Sequence, residues 1–134
     1  MPDVISIVSG AAQGLSLVSL KLGGINGKGV GNAVVGTVPP GNKNFLPIAI
    51  YVDVTAPQPI TTPPIVSLGT VSPFNNLVTA TTLNGAANAV DFLLALLSPW
   101  PRLSPGTVVT GAISQAAVSA GAVTLTLIAL GFWV

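Results

Sequence analysis

Apolar and polar residues alternate along most of this chain with a period of two. That spacing places successive side chains on opposite faces of a β-strand. The clearest case is 45–55, FLPIAIYVDVT, where Ile48, Ile50, Val52 and Val54 share one face and Ala49, Tyr51 and Asp53 the other. Pro47 within this run predicts a strand start or an edge, because proline has no N–H to give to a ladder. In the closing run, 122–134, Val123, Leu125, Leu127, Ala129 and Gly131 fall on one face, and Thr124, Thr126, Ile128, Leu130 and Phe132 on the other. Both faces turn apolar towards its end, which predicts core on one side and a subunit contact on the other. Shorter runs at 33–38, 65–71, 77–83 and 107–113 predict further strands. Residues 4–8 and 14–22 read as early strands or as an arm lying on a neighbouring subunit.

Turn-forming residues separate these runs: Pro39-Pro40-Gly41, the proline-rich 56–64, Ser72–Asn76 and Asn84–Asn88. The stretch 23–32, GGINGKGVGN, has five glycines in ten residues and predicts a turn region or hinge. It divides the chain into an N-terminal arm or early strands with a Gly-rich hinge (1–32) and a β-sandwich domain (33–134). Only at 89–97, AVDFLLALL, does a helix compete, because Val90, Leu93, Leu94 and Leu97 also have helical spacing. That run is a short helix or a strand. Seven or eight short strands with turns between them predict an all-β fold, an antiparallel β-sandwich or jelly roll with an extended N-terminal segment.

Charge changes the picture. The charged set of this 134-residue chain is Asp3, Lys21, Lys28, Lys43, Asp53, Asp91 and Arg102, 5% of residues where about 25% is usual. A small domain has much surface for its volume, so these few charges predict that part of the surface is buried against neighbours. Residues 103–134 carry no charge at all. The uncharged run 112–134 is long enough to span a bilayer, but its polar residues leave only about 13 strongly apolar ones, and these alternate as a strand does. The start has no basic residue ahead of its apolar run, unlike a signal peptide. No membrane partner is expected.

Candidate chemistry is sparse. The chain has no histidine and no cysteine, which removes histidine bases, thiol nucleophiles and Cys/His zinc sites. The scattered lysines and a net charge of +1 predict no direct nucleic acid binding. Gly27-Lys28-Gly29 lacks the hydroxyl residue of a phosphate loop. Asp53 and Asp91 would form a minimal two-carboxylate hydrolase site, yet nothing in the sequence brings them together. No catalytic residue, cofactor site or metal site is assigned. Trp100 and Tyr51 would suit a carbohydrate-binding module with exposed aromatic platforms. Trp100 and Trp133 equally suit an interface centre, and the candidate interface residues are Trp100, Leu127, Leu130, Phe132 and Trp133.

The Pro-Gly turn and long strand of 38–54, the shorter hairpin of 65–83 and the Gly-marked closing strand of 119–134 together resemble small β-sandwich proteins of tailed bacteriophage particles, of head decoration (cement) or spike and fibre type. The closing strand of that family is more polar and often tyrosine-rich, whereas this one ends in Phe132, Trp133 and Val134. The resemblance implies a non-enzymatic virion protein on the outer surface of the head, made in the host cytoplasm. It implies a homotrimer that bridges subunits of the major capsid protein or other virion proteins.

Overall fold

The period-two runs become strands because each has one face to bury. The computed structural model describes residues 17–97 and 101–134. The expected strand at 4–8, the start of the 14–22 run and Trp100 lie outside the described residues. The strands are β1 (Leu17–Asn26), β2 (Gly31–Thr37), β3 (Phe45–Thr55), β4 (Ile60–Thr62), β5 (Ile65–Gly69), β6 (Val78–Thr82), β7 (Val90–Leu94), β8 (Val108–Gln115), β9 (Val118–Ser119) and β10 (Thr124–Trp133). Eight of them make two four-stranded antiparallel sheets, ordered β1-β10-β3-β7 and β2-β8-β5-β6, while β4 and β9 form a small ribbon. The chain crosses repeatedly between the sheets, and the two strand orders are those of an eight-stranded jelly roll.

The core lies between the sheets. Leu22, Ile25, Ile50, Val52, Val54, Leu125 and Leu127 of the first sheet form one buried cluster with Val35, Val66, Leu68, Val78, Val109 and Ile113 of the second. β3 occupies 45–55 as its alternation predicts, with one change. Its register with β10 slips where Pro47 pairs with Gly131 and Ala49 with Leu130, leaving Ile48 as an extra residue. Ile48 is therefore only half-buried, and Pro47 takes the inward position. A bulge tolerates proline inside a strand, and Pro47, the third residue of β3, lies ahead of the Ile50–Val54 stretch that pairs with β7, so it sits near the strand start with that side unpaired.

The stretch 89–97 contains strand β7, not a helix. Leu94 is buried and Leu93 exposed, the period of a strand. Asn88 and Ala89 lead the chain into β7 and dock it on the end of β3, the first accepting a hydrogen bond from Ala56 N (3.0 Å) and the second donating to Val54 O (2.8 Å). Of the two expectations for 1–32, the described part forms β1 and the entry to β2. Gly23 and Gly24 sit inside β1 at a register break with β10. Gly23 has φ 80°, which favours glycine. The turn proper lies between Asn26 and Gly31, and Lys28 fastens it by donating to the carbonyls of Ser119 (2.8 Å) and Gly121 (3.0 Å). The uncharged 112–134 run becomes the end of β8, β9 and β10.

Candidate interface

β10 is hydrogen-bonded on both sides, to β1 and to β3, so its alternation splits cleanly between core and exterior. Val123 and, in β10, Leu125, Leu127 and Ala129 face inward and are buried. Leu127 is 0% exposed. This corrects its place among the candidate interface residues: the core already covers it. Trp133 also turns inward at its edges, with its ring edge-on to buried Phe45 at 5.4 Å and 63°. The inward turn continues the alternation of Leu125, Leu127 and Ala129 along β10, while the slip on β3 brings Phe45 opposite Trp133. A Cβ on Gly131 would collide with the Leu46 carbonyl oxygen and meet the Phe45 ring at 2.7 Å.

Leu130 and Phe132 do lie on the outer face. Cross-strand partners point to the same side of a sheet, so the register arranges this face in rows. Leu17, Phe132 and Leu46 form the first row, and Ser19, Leu130 and Ala49 the second. Lys21, Ile128, Tyr51 and Leu93 form the third, and Gly24, Thr126, Asp53 and Asp91 the fourth. Asn26, Thr124 and Thr55 close the face. Half of the face is thus apolar across the sheet and half is polar. Leu93 is 76% exposed and Leu17 44%, whereas Ile128, Leu130, Phe132, Leu46 and Tyr51 are half-buried by one another. Tyr51 stands between Ile128 and Leu93 rather than as an isolated platform.

The structure also brings together two residues that sequence reasoning left apart. Asp53 and Asp91 are direct partners across β3 and β7. Like charges opposite one another on a sheet repel, so the pair is a cost that the isolated fold does not require. Asp91 is exposed and Asp53 partly so, on an open sheet face. No group of three or more metal-ligating side chains forms among the described residues. The hairpin-like return of β7 onto β3 was the missing signal, and the helix-or-strand ambiguity at 89–97 concealed it.

The outer face of the second sheet is partly covered by the chain itself, although Val34 and Val108 stay exposed on it. Ser67 and Thr110 point outward yet are buried. The loop between β5 and β6 lies over them, with Ser67 Oγ donating to the Phe74 carbonyl at 2.9 Å. Asn76 ties that loop down by accepting from Thr70 N (2.8 Å) and donating to Thr70 Oγ1 (3.0 Å). The first sheet has no such cover among the described residues.

These features define the class: an eight-stranded jelly-roll sandwich with one partly self-covered face and one open, partly apolar face. No family model and no curated protein sequence matches the chain. Among solved structures, it is similar to a chain of the cyanophage Pam1 capsid asymmetric unit, with 15% identity, a TM-score of 0.55, and coverage of 90% of this chain and 83% of that one. The two chains share a fold.

Proposed function

We propose that this chain is a virion structural protein that decorates a bacteriophage head. It works without catalysis: it sits on the outer surface, associates with copies of itself and bridges subunits of the major capsid protein, so that the shell resists internal pressure. The observation that carries this reading is the shared fold with a chain in a phage capsid asymmetric unit. That chain is of similar size, since nine-tenths of this one covers most of it. The open face of the first sheet supports the same reading, because apolar surface rimmed by polar residues marks an interaction site. So does the charge deficit, which suits a protein flanked by other protein. The resemblance in sequence implies three copies; the open face itself bears on that number below.

The test is reconstitution. Purified protein is mixed with undecorated heads of the phage that carries it, and the heads are recovered by sedimentation. Saturable binding at a copy number fixed by the shell symmetry is expected, together with greater resistance of the heads to heat. Heads that recover no protein at micromolar concentration sink the decoration reading. Binding to tails or fibres instead would reassign the chain to the spike or fibre type.

A further inference from the structure

We propose that the outer face of the β1-β10-β3-β7 sheet is occupied by the same face of a second copy, related by a two-fold axis running parallel to the strands between β10 and β3. This rests on the self-association part of the proposed function and adds the surface, the symmetry and the residues that set it. The argument comes from where the charges are. Six of the seven charged residues lie in described parts of the chain, and three of those, Lys21, Asp53 and Asp91, share this one face. They are also segregated. Lys21 stands on the β1 edge, Asp91 stands on the β7 edge with Asp53 beside it on the inner strand β3, and the two aspartates lie one row further along.

A two-fold axis parallel to the strands exchanges the edges and keeps the rows. It lays β1 of one copy over β7 of the other, with β10 over β3. Lys21 then lies over Leu93, one row from Asp91. Same-face neighbours along a strand are about 7 Å apart and packed sheets about 10 Å, and a lysine side chain covers such a diagonal. Each copy gives its lysine to the other's carboxylates, so the symmetric interface makes the contact twice. Asp53 falls over Thr126 and Asp91 over Gly24, and no like charges meet. In the apolar rows Phe132 meets Leu46, Leu130 meets Ala49 and Ile128 meets Tyr51, each pairing large with small or flat. An axis across the strands would instead keep each strand over itself. Lys21 would then lie over β1 of the partner, away from the aspartates, and the charges would have no complement. Charge complementarity therefore selects the axis.

Size is consistent with a specific but modest contact. Four strands and five rows span about 19 by 27 Å, so two copies bury on the order of 1,000 Å², near the lower bound for a specific interface. At that bound the charges decide whether the copies associate. A cyclic trimer contains no two-fold axis, so this packing replaces the trimer that the resemblance implies at this face.

The experiment is sedimentation of the full chain and three variants at micromolar concentration, with circular dichroism confirming the β signal of each. The wild type is expected to be a dimer. Lys21→Asp leaves only negative charge on the face, and the double variant Asp53→Lys with Asp91→Lys leaves only positive charge. Each alone is expected to weaken dimerisation by at least about tenfold. Mixing the two restores a heterodimer, because each then meets the opposite sign. Lys21→Gln, which keeps the strand intact, gives an intermediate loss and serves if a reversed variant fails to fold. A wild type that stays monomeric overturns the self-association reading as well. An oligomer indifferent to these reversals, including a stable trimer, overturns this face and axis while leaving head binding to be judged by reconstitution.

Discussion

Truncating Leu127 to alanine removes an isobutyl group from the middle of the inner face of β10, where it has Leu125 and Ala129 as same-face neighbours and Val52 opposite. The side chain is fully buried, so its whole transfer free energy is lost, and a void remains. How large the void stays depends on whether the backbone can close in. β10 is paired on both sides along nearly its whole length, which holds it in place, and the loss should fall in the upper part of the usual 2–5 kcal/mol for such truncations, about 3–5 kcal/mol. Leu130, three residues on, is half-buried on the outer face. Its truncation opens no enclosed void and should cost about 1 kcal/mol in the monomer. Urea melts followed by tryptophan fluorescence at submicromolar concentration separate fold from assembly. With a slope of about 1.5–2 kcal/mol per molar for a chain this small, Leu127→Ala should lower the midpoint by about 1.5–3 M and Leu130→Ala by about 0.5 M. At higher concentration the order reverses for association: Leu130→Ala should lower the dimer fraction, because it removes apolar contact area. Equal losses of stability, or a larger loss at Leu130, would refute the assignment of the two faces.

Gly131→Ala should destabilise the fold by about 1–3 kcal/mol through overpacking, because the new methyl meets the Leu46 carbonyl and the Phe45 ring; a thermal midpoint equal to wild type would show that the β10–β3 slip is absent. Asp91→Asn removes the like charge facing Asp53, so the monomer should gain a few tenths of a kcal/mol at low salt while dimerisation weakens; chemical melts and sedimentation on one sample check both signs. Deleting residues 1–22 strips half of β1, including buried Leu22, and uncovers an edge of β10. The truncated chain should lose its sharp thermal transition by circular dichroism, and an unchanged transition would mean that β1 is dispensable.

The fold was legible where a strand has one wet and one dry face. β3 and β10 each do, and both appeared in the hydropathy pattern with nearly their true bounds. The pattern weakened where a strand departs from strict alternation. The bulge at Ile48 moves Pro47 inward, and only the β10 register reveals it. At 89–97 leucine and alanine satisfy helical and strand spacing at once, and the choice is made by pairing with β3, a contact distant in sequence. The outward apolar face was legible as a stretch of chain but not residue by residue. Leu127 and Leu130 are both leucines in one apolar run, and which is covered follows from parity relative to the core. Trp133 obeys the same parity, which places it with Leu127 on the inner side rather than with Leu130 and Phe132. The Asp53–Asp91 pair was beyond reach because it depends on the same β3–β7 pairing.

The open face contains its own control for what solvent demands of this chain. Its far rows, with Asn26, Thr124, Thr126 and Thr55, show that the sequence keeps much of this face wet with short hydroxyl and amide side chains beside the two aspartates. The same four strands could have continued that composition to their other ends. Instead Leu17, Phe132, Leu46, Leu130, Ile128 and Leu93 occupy the outward positions there, although threonine has equal propensity for a strand and would remove the exposed apolar area. The core is complete beneath these residues, and on the second sheet the β5–β6 loop covers part of the outer face. Among the described residues nothing covers the apolar rows, and the proposed second copy would do so. Lys21 on the β1 edge and Asp91 on the β7 edge, with Asp53 beside it on β3, lie on opposite sides of the face, the arrangement that the proposed pairing with a second copy would use.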